Sequence, residues 1–240
     1  MRLSRIAAAA IAFPFLCLAT DTETKVCVNS GGSEKEKLKD IASCTVDDKL
    51  FNNFSFTSNA EDIKVSDGSD TFGPGLKFRD KMEVDDDDGS ETWKFQYLVT
   101  VTNPSFLIDA VKLLVRTDDW EDGTGTVWKY LCIGGSFTTP LNSATCSGTL
   151  HTLSVTPTDE ETTYSTTSST FAGVTSLWVL DVVSLNPDDD ELEIAWIKNQ
   201  FRQIEAPQGE DPIPEPGAMY LLAGGLLFLT AKAVRRRRRI

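Results

Sequence analysis

Apolar and polar residues alternate from Trp93 to Thr102, with Leu98 the one exception: Trp93, Phe95, Tyr97, Val99 and Val101 fall on one side, and Lys94, Gln96, Leu98, Thr100 and Thr102 on the other. Side chains of an extended chain point alternately to opposite faces, so this period predicts a strand with one buried face. Phe54 and Phe56 alternate with Ser55 and Thr57 in the same way. Further strands are predicted at 75–79, 108–116, 126–133, 150–156, 176–184 and 191–198. They are separated by turn-rich segments such as Asn103-Pro104-Ser105, Asp122-Gly123-Thr124-Gly125 and Asn186-Pro187-Asp188. About eight short strands with no interleaved helices imply an all-β fold, an antiparallel β-sandwich of jelly-roll or immunoglobulin-like type. One short α-helix is expected ahead of them. Ser33 to Glu36 fits a capping box, and Leu38, Ile41 and Ala42 give a narrow apolar stripe ending near Cys44.

Two apolar runs break this pattern, one at each end. Met1 to Ala19 has Arg2 and Arg5 ahead of an apolar core too short to span a bilayer, which reads as a secretory signal peptide with a cut near Ala19-Thr20. A lipoprotein reading of Cys17 is disfavoured by Leu16 immediately before it. At the other end, Gly217 to Ala231 is free of charge, and Lys232 can snorkel so that the helix extends to Val234. Eighteen residues at about 1.5 Å each give roughly 27 Å, near the thickness of a bilayer core. Arg235, Arg236, Arg237, Arg238 and Arg239 then hold the end in the cytoplasm and leave the preceding chain outside. The expected organisation is a signal peptide (1–19), an exported sandwich domain (20–204), a Pro- and acid-rich linker (205–216), a transmembrane helix (217–234) and a cytoplasmic basic tail (235–240).

Pro214-Glu215-Pro216, the short apolar span and the arginine cluster occur in an order that resembles the PEP-CTERM sorting signal of exported bacterial proteins. The resemblance covers about an eighth of the chain. It implies an exosortase as partner, acting near Pro214, Glu215 and Pro216, and transient residence in the cytoplasmic membrane. Cys44 to Phe54, with Asp48-Lys49-Leu50-Phe51 and Phe54, also resembles the opening of a recurrent cargo domain of that class. That likeness implies a secreted sandwich of unknown activity and transfers no catalytic residue.

Charge and cysteines refine this picture. The chain carries −13 overall; with Arg2, Arg5, Lys232 and the five terminal arginines set aside, residues 20–216 carry −21. Such a body disfavours nucleic acid as partner, since each phosphate contact needs a cation. Cys27, Cys44, Cys132 and Cys146 remain after the signal, an even count that points to disulfides in an oxidising compartment. The local pairings Cys27–Cys44 and Cys132–Cys146 are favoured, each stabilising by roughly 3 kcal/mol on a chain-entropy account. No Cys-x-x-Cys pair is present and His151 is the single histidine, so a zinc site is disfavoured.

The remaining candidate chemistry is acidic. Asp86 and Asp88 within Asp85-Asp86-Asp87-Asp88-Gly89, and Asp118, Asp119 and Asp122 around Trp120, offer hard oxygens suited to Ca2+. No EF-hand register fits, because Gly89 at the sixth position puts Val84 first and Phe95 twelfth; solvated turns are the plainer reading. A glycosidase needs two carboxyls held about 5 to 9.5 Å apart across a cleft, which a sequence does not display. A serine triad would depend on His151, and no Gly-x-Ser-x-Gly elbow accompanies it. Trp120, surrounded by acids, reads either as an exposed ring for stacking on a sugar or as a rim residue folded inward. Trp93, Trp128, Trp178 and Trp196 are expected in the core. These features point to a non-catalytic envelope or extracellular-matrix protein, the alternative being a carbohydrate-binding module or a polysaccharide-active enzyme.

Overall fold

A computed structural model describes residues 25–27, 36–80, 82–85, 89–120, 123–168, 170–188 and 191–207. Fourteen strands are found among the described residues: β1 (Lys25–Val26), β2 (Glu36–Lys37), β3 (Ser43–Val46), β4 (Lys49–Phe56), β5 (Lys64–Asp67), β6 (Gly75–Arg79), β7 (Glu83–Val84), β8 (Glu91–Val101), β9 (Phe106–Trp120), β10 (Gly123–Ile133), β11 (Thr149–Val155), β12 (Thr163–Thr167), β13 (Ser176–Pro187) and β14 (Leu192–Glu205). They form two sheets, ordered β1-β3-β4-β8-β13-β10-β11 and β12-β9-β14-β6-β5-β2, with β7 also pairing β14. Neighbouring strands are antiparallel except β1 and β3, which run parallel.

The alternation seen in the sequence sets which faces meet. Trp93, Phe95, Tyr97 and Val99 of β8 are buried, as are Val111, Leu113 and Val115 of β9 and Ile197 and Phe201 of β14. These inward rows interdigitate as one core between the sheets. Phe78 packs against Phe95 at a ring separation of 4.5 Å, and Phe51 lies 5.8 Å from Phe201, so aromatic contacts tie opposite layers together. Both favoured disulfides are formed. Cys27–Cys44 ties the first strand to β3, and Cys132–Cys146 closes a loop that folds back over the outer face of the first sheet. Under that loop Cys132, Phe137 and Leu180 make a second, smaller apolar cluster, flanked by Tyr130, Leu141 and Trp178.

Two expectations are corrected. The α-helix before Cys44 is replaced by β2, a single 3-10 turn at Leu38–Asp40, and β3. Leu38 and Ile41 are both buried, and a three-residue spacing is met by one 3-10 turn; pairing and the disulfide then hold Cys44 extended. Of the four strand tryptophans expected in the core only Trp93 is there; Trp128, Trp178 and Trp196 are half-buried on outer faces. Trp196 lies 4.8 Å below Lys77 Nζ and 5.4 Å from Lys198 Nζ, a cationic cover for an outward ring. Among the described residues no helix is long and apolar enough to cross a membrane. The signal peptide, the Pro-Glu-Pro motif, the predicted span and the arginine cluster all lie outside the described residues.

Candidate functional site

Acids converge at one end of the sandwich, where Asp118 and Asp119 from the sequence-read clusters lie near Glu83 and Glu193, which alternation and spacing did not single out. Asp118 and Asp119 close β9, Glu83 lies on β7, Glu193 on β14, and Asp85 and Glu191 adjoin those strands. Carboxylate oxygens of Glu83, Glu191 and Glu193 all lie within 4.8 Å of one another. Glu193 is pushed above the usual carboxylate range, first by burial and then by repulsion from Asp118, Glu83, Glu191 and Asp119. Glu191 is raised by burial and by Asp85, Asp119 and Glu83. Spacing of this kind is tighter than the about 5 to 9.5 Å that glycosidases hold, and three carboxylates this close are of a kind that can ligate a divalent cation, as they can also stand solvated on an acidic rim. Asp86, Asp88 and Asp122, also candidates from the sequence, lie outside the described residues.

The strand register explains why Trp120 is not a surface platform. Leu192 pairs with Trp120 and Ile194 with Thr117, so three steps along β9 match two along β14. That bulge inserts one residue into β9 after inward-facing Thr117; Asp118 and Asp119 turn outward and Trp120 returns to the core at 5 % exposure. Its ring lies against Gly125 of β10, where an added Cβ would come 2.3 Å from ring atom Cη2.

A shallow depression of about 280 Å³ adjoins the acidic end, lined by Ser58, Asn59, Glu61, Asp62, Glu83, Glu91 and Trp93. Asn59 Nδ2 donates to Glu91 Oε2 at 3.2 Å and to the Thr92 carbonyl at 3.2 Å. Asp62 accepts from Lys37 and Lys39, both at 2.8 Å, and these cations hold its carboxyl down to about 2. His151 lies on β11 with its ring 5.7 Å from Phe171, a packing position.

The outer face of the first sheet carries features that alternation alone left unranked. Directly paired residues share a face. Trp128 stands opposite Ser154 on one side and Val182 on the other, and Val182 opposite Lys94. The next row joins Thr126, Ser184 and Thr92, extended by Thr156, whose hydroxyl is 3.4 Å from that of Thr126. Thr92 donates to Ser184 at 3.3 Å, and Ser90 hydrogen-bonds Asn186 beyond it. A half-buried indole beside a hydroxyl row on a broad sheet can stack on one sugar face while hydroxyls exchange hydrogen bonds with its substituents. The signal for this face was in the sequence: Trp128, Thr126 and Thr124 recur at period two, but nothing there says that the period-two face opposite the core is open.

No family model and no curated protein matches the chain. Among solved structures it is similar to TmCBM61 in complex with β-1,4-galactotriose, with 12 % identity, 64 % of this chain and 89 % of that one covered, and a TM-score of 0.33. A carbohydrate-binding module described as of the β-sandwich superfamily matches at 11 % identity over 65 % of this chain and 56 % of that one, TM-score 0.32. The enzymatically active domain of tailspike protein 4 from bacteriophage CBA120 matches at 7 % identity over 75 % and 22 %, TM-score 0.28. These structures include binding modules and an enzyme domain, and likeness at this level carries no argument about what this chain binds.

Proposed function

We propose that this chain is an exported, non-catalytic interaction protein of the bacterial envelope or extracellular matrix, and that the outer face of its first sheet binds a neutral polysaccharide. The observation that carries the binding reading is the row Ser154–Trp128–Val182–Lys94 beside the hydroxyl row Thr156–Thr126–Ser184–Thr92. The Cys132–Cys146 loop packs against this face as far as Val182, so the proposed contact is the part beyond it, with stacking on Trp128 supplying area and the hydroxyls orienting the chain. The body charge of −21 would repel acidic glycans, which favours neutral ones. The acidic rim of Glu83, Glu191 and Glu193 would take Ca2+, the divalent cation abundant outside cells.

Delivery rests on the terminal segments. Two disulfides fit an oxidising compartment, and the ordered tail supports recognition by an exosortase while the chain sits in the cytoplasmic membrane with its body outside. Mass spectrometry of the mature ends tests this: an N-terminus near Thr20 and a C-terminus near Pro216 are expected, and an intact Ile240 on the mature form would return the tail to a plain anchor. A glycan array tests binding. Wild type is expected to retain neutral β-linked oligosaccharides and Trp128→Ala to lose them; equal retention by both, or by neither, overturns the assignment to this face.

A further inference from the structure

Four polar side chains meet in the middle of the apolar core. Lys129 on β10 is flanked by inward Val127 and Leu131, Asp181 on β13 by Val179 and Val183, and Asn199 on β14 by Ile197 and Phe201. Tyr97 on β8 completes the group, and all four are fully buried. Lys129 and Asp181 are directly paired across neighbouring strands, and Lys129 Nζ contacts Asp181 Oδ1. The second carboxyl oxygen, Oδ2, accepts from Asn199 Nδ2 at 2.6 Å, and the same Nδ2 donates to Tyr97 Oη at 2.8 Å. Asn199 Oδ1 is buried with no hydrogen-bond partner among the described residues.

As a purely non-covalent contact this arrangement is poor. An ion pair taken out of water gains little over apolar packing, and an orphaned buried acceptor adds a desolvation cost with nothing to offset it. Its protonation states suit chemistry better. Burial lowers the Lys129 ammonium and raises the Asp181 carboxyl, favouring a free amine beside a carboxylic acid. Burial pushes the Tyr97 phenol well up, so it keeps the proton it can donate. A nucleophilic amine, a proton-carrying carboxyl and a phenol donor grouped around one carboxamide are the requirements of acyl transfer.

We propose that Lys129 and Asn199 condense into an intramolecular isopeptide bond, with Asp181 as the catalytic residue that relays protons between them, so that β10 of one sheet is covalently joined to β14 of the other. Turned over about its Cβ–Cγ bond, the Asn199 carboxamide presents Oδ1 to Tyr97 and to protonated Asp181. The Lys129 Nζ lone pair then attacks Asn199 Cγ, and the carbonyl electrons move onto Oδ1 between these two donors. Asp181 takes a proton from Nζ and delivers one to Nδ2. The Cγ–Nδ2 bond breaks, ammonia leaves, and the Nζ–Cγ amide remains. No oxidant or second reactant is consumed. Asp181 fits the relay position because its two oxygens touch the two reacting groups separately. Among the described residues the other buried carboxyl, Asp109, is engaged by Arg202 through contacts of 3.0 and 2.7 Å.

Peptide mapping of the full-length chain by tandem mass spectrometry, after disulfide reduction, tests the bond without any variant. The expected product is a branched peptide joining Lys129 to Asn199, lighter than its two linear parts by one ammonia. Asp181→Ala is expected to yield only the linear parts, and Tyr97→Phe to slow the appearance of the branch. A branch joining Lys129 to Asp181 with loss of water would overturn the assignment of Asn199 as acceptor. Linear peptides alone from wild type would overturn the bond altogether. The result is independent of whether the outer face binds polysaccharide.

Discussion

Asp62 shows how an exposed acid becomes fixed by its neighbours. Lys37 and Lys39 both reach it, and its carboxyl falls from an ordinary 3.8 to about 2, through hydrogen bonds from Lys37 and Lys39 that outweigh burial. The folded chain therefore releases this proton more readily than the unfolded chain. Its contribution to stability is present above pH 3.8 and is lost as pH falls through about 2. A carboxyl titration followed by NMR is expected to place the Asp62 midpoint near 2, and Lys37→Met with Lys39→Met to return it to the ordinary range. An unshifted midpoint in the wild type would remove these ion pairs from the account. The lysines are legible as charges at 37 and 39, but that they flank residue 62 follows only from β2 pairing β5.

At the scale of elements, the bulge in β9 decides which residues face inward. Thr117 and Trp120 are buried with Asp118 and Asp119 turned out between them, an arrangement a regular strand would not allow. Room for the ring comes from β10, where Gly125 carries no side chain against Trp120 and Leu185. Gly125→Ala places a methyl group where Cη2 of Trp120 now lies, and overpacking of this kind costs about 1–3 kcal/mol. The melting midpoint is expected to drop by roughly 2–12 °C, with tryptophan emission moved to the red as Trp120 is displaced. An unchanged midpoint and spectrum would show that the ring does not occupy this position. In the sequence Trp120 among acids reads either as an exposed ring or as a rim residue folded inward, the second being favoured; the slip of register across β14 is what turns it into the core.

For the molecule as a whole, the acidic rim sets a pH and cation dependence. Glu191 and Glu193 are held up in the folded state, first by burial and then by surrounding acids. The fold thus binds these protons more tightly than the unfolded chain, so their repulsion weakens the fold at neutral pH and is relieved as pH falls into the carboxylate range. Calcium bound at the rim would give the same relief without protons. At a concentration about 100 times its dissociation constant it would add about 2.7 kcal/mol. Thermal unfolding at pH 7 is expected to shift upward with calcium relative to chelator, and the shift to vanish in Glu191→Gln with Glu193→Gln. Identical midpoints for wild type with calcium and with chelator would end the calcium reading.

Alternation, turn residues and cysteine spacing were enough to state an all-β sandwich, most of its long strands and both disulfides, because those features depend on neighbours close along the chain. Leu38 and Ile41 gave an ambiguous spacing that a single 3-10 turn satisfied, and a helix was expected in its place. What needed the assembled sheets was every relation across them. The cluster of Glu83, Glu191 and Glu193 joins residues from two strands far apart in the chain, Trp120 turns inward through pairing with β14, and the outer rows around Trp128 exist because β8, β13, β10 and β11 lie side by side. Lys129, Asp181 and Asn199 each interrupt an apolar alternation in the sequence. Pairing of β10 with β13 sets Lys129 beside Asp181, and the packing of one sheet on the other brings Asn199 to the same point.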